Sequence, residues 1–383
     1  MKLKKLSAAG FKITAAECLS VSPFLHILLG ISLFGTAVFR QLKHNTAAMD
    51  WIVLKIARPY HSIAGALSSA VPFSLAELFY TAAALGAAFY IIRAVYIIIR
   101  SRTKLRHLYK ALLTMACFGM SLYFLLCLLW NSLYYSRSFQ DVNNIEGSSV
   151  STEKLSAVAY WFAQLANTYA EDVSRDGNGL YIIDENQVLN DSALLYADIE
   201  KQYESLGGKS SRVKPMFFSE LFSRMNFTGF FFPLTGEANI NTSSPACMRP
   251  CTIAHEMAHQ RGISREQEAN FIAVMVCLKS GSPDYKYSAS LTAYQYLANA
   301  LYRADRDSWA QLVRTLDAKP KLDLKINSEY WQQYKSPVSA ASEAIYDGYL
   351  NSQSQSLGIK SYGACVNLLG NFYYENAVDG YIP

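Results

Sequence analysis

The chain is short of charge, short of histidine, and without a cysteine pattern that could staple a fold. Only 17% of its 383 residues are Asp, Glu, Lys or Arg, against 51% hydrophobic and 13% aromatic. That is low for a wholly soluble protein. The net charge of +5 does not point to nucleic acid, because the basic residues cluster beside apolar runs. Seven cysteines in a chain of this length do not make a disulfide framework. Cys247 and Cys251 would pair if they faced an oxidising space and would otherwise remain two thiols, and their spacing does not choose between these. Internal repeats and low-complexity tracts are also missing.

What the chain has in excess is apolar sequence near its start. Residues 21–39, 75–99 and 111–130 are each long enough to cross a bilayer. A cleaved signal peptide is the rival reading of the first, but no small-residue cleavage site stands out and more apolar runs follow. Residues 45–73 read as a short helix at the membrane surface or as a plain loop. Ser74-x-x-Glu77 reads as a capping box opening the second span. Residues 100–110 carry Arg100, Arg102, Lys104, Arg106 and Lys110 and no acid. Short basic loops stay cytoplasmic, so this loop and the N-terminus, with Lys2, Lys4, Lys5 and Lys12, are expected inside. Three spans then put everything after Trp130 outside. The expected organisation is a membrane domain, 1–135, and a soluble extracytoplasmic domain, 136–383.

Within the second part the expected class is mainly α with a small sheet. Helices are expected at 152–170, 195–206, 215–225, 264–280, 288–304, 307–316, 339–350 and 362–374. Residues 174–190 read as a loop. Strands are expected at 227–233 and 236–241, the latter as a hairpin strand or as an edge able to pair with an extended substrate.

His255-Glu256-Met257-Ala258-His259 carries the chemistry. Residues four apart share one face of an α-helix, so His255 and His259 form half of a tetrahedral zinc site. Glu256 is one residue round, placed to act on a water as general base without binding the metal. Pro250 suits the first turn of this helix. The other four histidines, His26, His44, His61 and His107, fall in the membrane half, so the third ligand should be a carboxylate or, failing that, a cysteine. Gly262 is placed to end the helix, and Ser264-x-x-Gln267 reads as a capping box opening the next. That second helix begins with Glu266 and Glu268, about 200° apart, so at most one faces the metal. Glu266 shares its face with Ala269, Asn270 and Ala273. Glu268 shares its own with Phe271, Ile272 and Met275, which reads as packing. Glu266 is therefore the expected ligand, with Asn270 one turn on to orient it.

H-E-x-x-H followed by E-x-x-A-[ND] resembles the gluzincin branch of zinc metallopeptidases, including membrane peptidases with several spans. The whole chain also resembles an uncharacterised family of bacterial multispan membrane proteins predicted to be zinc peptidases. The resemblance implies a zincin-like domain, His255, His259 and Glu266 as zinc ligands, Glu256 as base, and Asn270 in the place of an aspartate behind the ligands. It also implies a peptide or protein substrate, in the cell envelope given the outward-facing site, and a bacterial cell membrane location. The sequence departs from the pattern in its short gap between His259 and Glu266, in Arg261, and in Asn270. The reaction expected is hydrolysis of a peptide bond by a zinc-activated water, with a tyrosine or arginine, not singled out, holding the oxyanion. The alternatives are an inactive zinc-bearing binding module and an accidental motif in a membrane structural protein.

Overall fold

A computed structural model of the protein describes residues 20–208, 211–353, 355 and 362–383. The basic stretch 2–12 lies outside them. Among the described residues, three helices are long and apolar enough to cross a membrane: Pro23–Leu42 (α1), Leu75–Arg100 and Lys104–Tyr135. Between the first two lie Thr46–Ile52, a five-residue π turn, and Arg58–Ser68 (α2). The segment is thus helical and not a plain loop. α2 buries His61, Gly65 and Ser68, and the His61 ring lies 5.0 Å from that of Phe231, far beyond the apolar helices in sequence.

Leu75–Arg100 is α3, and Ser74 does cap it, accepting from the Glu77 N–H. The Glu77 carboxylate is turned elsewhere: it accepts from the N–H groups of Phe217 and Phe218 at 2.7 and 2.9 Å. In exchange, Glu237 accepts from the N–H groups of Leu75 and Ala76 at 3.2 and 2.7 Å. A buried ion pair to Lys214 holds Glu237 in turn, and Lys214 also donates to the Ser68 carbonyl at 2.6 Å. Free N–H groups at a helix start favour a carboxylate, and here two carboxylates are traded between the apolar helix and the sheet.

The expected basic loop at 100–110 shrinks to residues 101–103. The chain re-enters a helix at once in Lys104–Leu126 (α4), so most of those cations sit on helix ends. α4 runs on through a π turn, Cys127–Asn131, into Ser132–Tyr135. Phe139–Asn143 (α5) follows, then Thr152–Tyr169 (α6), which falls where periodicity put it. Residues 195–206 were expected as one helix but break into short turns around Ile199–Gln202.

The sheet has three strands, Lys214–Pro215 (β1), Gly229–Phe232 (β2) and Glu237–Ile240 (β3), in the order β1-β3-β2. β1 is parallel to β3 and β2 antiparallel to it. The segment 236–241 is thus the central strand and not an edge; short-range pattern cannot show that β1 arrives on its other side. Arg249–Gln260 (α7) and Glu266–Lys279 (α8) form a helical hairpin, with Pro283–Ala304 (α9) behind it. Ala318–Gln333 (α10), Pro337–Ser352 (α11) and Tyr362–Phe372 (α12) complete the larger helices. The core lies between α6, α8, α9 and α12, around Phe162, Phe271, Tyr285 and Leu297. The boundary drawn at 135 therefore does not separate the packing, since α2 and the start of α3 belong against the sheet.

Candidate metal centre

Pro250 sits in the first turn of α7, where its missing N–H goes unneeded. The helix ends at Gly262, whose φ of 86° is a backbone conformation glycine adopts without strain. Gly262 N–H donates to the His259 carbonyl at 3.0 Å, and Ile263 N–H to that of Ala258 at 3.1 Å. This pair of bonds reverses the chain and satisfies the last carbonyls. α8 then starts at Glu266 after Arg265, with no side-chain cap. Ser264 does not open a capping box. Its hydroxyl is buried with no hydrogen-bond partner, because the helix begins one residue later than that box requires.

The hairpin brings His255, His259 and Glu266 together, with ligand-type atoms all within 4.8 Å of one another. The two Nε2 atoms are 3.0 Å apart. Glu266 Oε2 is 3.3 Å from His255 Nε2, and Oε1 is 3.6 Å from His259 Nε2. Ligands ~2.0–2.1 Å from a tetrahedral zinc ion stand roughly 3.3 Å from each other, so the spacing fits. The chemistry of the donors fits as well. His259 Nδ1 lies 2.6 Å from the Ile263 carbonyl, which can only accept, so Nδ1 carries the proton and Nε2 presents a lone pair inward. His255 Nδ1 is buried without a partner.

The charges of these side chains follow from this crowding. Burial alone would lower the His255 imidazole, but the hydrogen bond and charge of Glu266 outweigh it and carry it up to about 9. Burial pushes His259 down to about 4. Burial would raise Glu266, but His259 and His255 outweigh it and hold its carboxyl down at about 2. The two imidazoles and the carboxylate thus share one proton where a cation would sit. Burial pushes Glu256 up to about 8, against the pull of His255. Glu256 Oε2 has no hydrogen-bond partner.

Gly229, at the start of β2, faces this carboxylate. A methyl group there would come 2.8 Å from Glu256 Oε1 and 2.7 Å from the Asn239 carbonyl, so only glycine lets the strand lie this close to α7. β2 has β3 on one side and no strand paired on the other among the described residues.

Glu268 points away from the site and accepts from the N–H groups of Phe139 and Gln140, both at 3.1 Å, capping α5. Asn270, expected to orient a ligand, instead accepts from the Tyr296 hydroxyl at 3.2 Å. Besides the two histidines, Tyr346 on α11 reaches Glu266, donating its hydroxyl at 2.6 Å. Sequence reasoning did not choose Tyr346 from the chain's many tyrosines, although Tyr346 and Tyr349, three apart, share a helix face. Tyr349 donates to Asn131 Oδ1 at 2.8 Å.

Trp130, at the end of the third apolar run, packs against the site. Its ring lies edge-on to His259 with centroids 5.6 Å apart, and 5.4 Å from Phe231. It sits in the π turn that continues α4, and such turns alter the direction of side chains within a helix. Cys247 and Cys251 are free and buried.

Residues 55–370 match the family described as "Protein of unknown function (DUF3810)". The chain belongs to this family. No curated protein and no solved structure matches it.

Proposed function

We propose that the protein is a membrane-anchored zinc metallopeptidase of the gluzincin kind, with its active domain outside the cytoplasm of a bacterial cell. One observation carries this reading: two imidazoles and a carboxylate converge at metal-binding distances, with an unligated glutamate, Glu256, beside them. The orientation rests on the cations around the α3–α4 turn, which favour the cytoplasmic side. When bound, zinc would supply a Lewis acid that lowers the pKa of water and polarises a carbonyl.

The rest falls to the chain. His255, His259 and Glu266 would hold the ion. Glu256, with its pKa brought near neutrality by burial, takes the proton of the attacking water and returns it to the leaving amine. Tyr346, whose hydroxyl already reaches Glu266, is our candidate donor for the developing oxyanion. The open edge of β2, kept close to α7 by Gly229, offers backbone groups to an extended peptide. That role moves from β3, which is enclosed.

The test is digestion of a randomised peptide library by the full chain, with and without a chelator. Glu256→Gln should keep zinc and lose about 10²–10⁴-fold in hydrolysis. Undiminished hydrolysis in that variant would reject the mechanism. Absence of zinc from the purified wild type would reject both this reading and an inactive zinc-bearing module.

A further inference from the structure

We infer that the substrate is a membrane-tethered polypeptide, cut within a few residues of its own apolar span. The inference rests on the peptidase reading above and deepens it. It comes from the height of the site relative to the apolar helices. The last cation on the inner half of α4 is Lys110, and from Ala111 to Trp130 the helix rises roughly 29 Å, close to the ~30 Å hydrocarbon thickness of a bilayer. Trp130 therefore marks the outer lipid boundary, and its ring lies against the proposed ligand His259. The metal centre stands at that boundary, not on a stalk above it.

The opposite wall agrees. Phe232 of β2 packs against Phe79, and Phe230 against Tyr80, both in the opening turns of α3. Glu77 and Glu237 lock that helix start to the sheet. Phe217, held by Glu77, and Phe73 are both exposed, which places further apolar side chains at the same level. The open edge of β2 thus runs beside a lipid-level helix end. An extended chain advances ~3.3–3.6 Å per residue. A substrate leaving the bilayer beside α3 or α4 would therefore reach the site within its first few residues.

The experiment uses the full chain reconstituted in phosphatidylcholine vesicles. The probe is a randomised segment joined to an apolar helix of about 20 residues, through Gly/Ser spacers from none to about 15 residues, which reach up to roughly 50 Å. The same segments without the apolar helix serve as the soluble comparison. Chelator-sensitive cleavage is expected to be strongest with the shortest spacers and to fall as they lengthen. Cleavage that appears only with long spacers, or that is equal on the soluble segments, overturns the inference while leaving the peptidase reading intact. If nothing is cut in any format, the peptidase reading fails and this inference falls with it.

Discussion

Carboxylates at 266 and 268 leave α8 on opposite sides and do opposite things. Glu266 turns to the two histidines and Tyr346, and Glu268 turns to two backbone N–H groups of α5. Glu266→Ala is expected to weaken zinc retention by at least about 10–100-fold. Glu268→Ala should leave retention unchanged and lower stability by about 1–3 kcal/mol, the usual cost of stranding buried donors. Metal analysis and thermal melting of the two variants separate these outcomes, and a larger zinc loss from Glu268→Ala would reverse the assignment. Acid should also strip the metal in a defined way. Between pH 4 and 9, Glu266 is ionised and His259 neutral, so zinc displaces one proton, that of His255. Apparent affinity should then fall by up to ~10-fold for each pH unit below about 9. A zinc titration at several pH values reads this slope, and a flat profile would show that His255 does not carry that proton.

At the scale of elements, whatever depended on local periodicity could be read in advance, and whatever depended on a distant partner could not. The apolar helices, α6, α7, the stop at Gly262 and the separation of Glu266 from Glu268 all follow from spacing along one segment. The central place of β3 needed β1, which is far away in sequence. Ser264 looked like a cap because its neighbours fit the pattern, yet the turn through Arg265 delays the helix. Asn270 occupied the right position for a supporting side chain, but α9 supplies it with Tyr296 while α11 supplies Glu266 with Tyr346. Nor could short-range pattern reveal the exchange of Glu77 and Glu237. It gives a prediction. Lys214→Met leaves Glu237 buried beside the α3 start without its cation, so stability should drop by about 3–5 kcal/mol. Melting of the detergent-solubilised variant tests this, and an unchanged transition would mean that the helix N–H groups suffice for Glu237.

At the scale of the whole molecule, the apolar and polar halves are not separable units joined by a linker. α2 packs under the sheet, α3 is pinned to it, and α4 runs without a break into the wall of the proposed metal centre. A continuous helix of that length behaves as a rod. Lipid thicker or thinner than its apolar stretch is accommodated largely by tilt, and tilting a rod swings its far end. Here the far end carries the indole that rests on His259. Turnover is therefore expected to change with the acyl-chain length of the surrounding lipid and to peak where the rod stands unstrained, whereas Glu256→Gln stays inactive in every lipid. On the proposed reading, the bilayer becomes part of the mould that holds the two histidines and Glu266 in place.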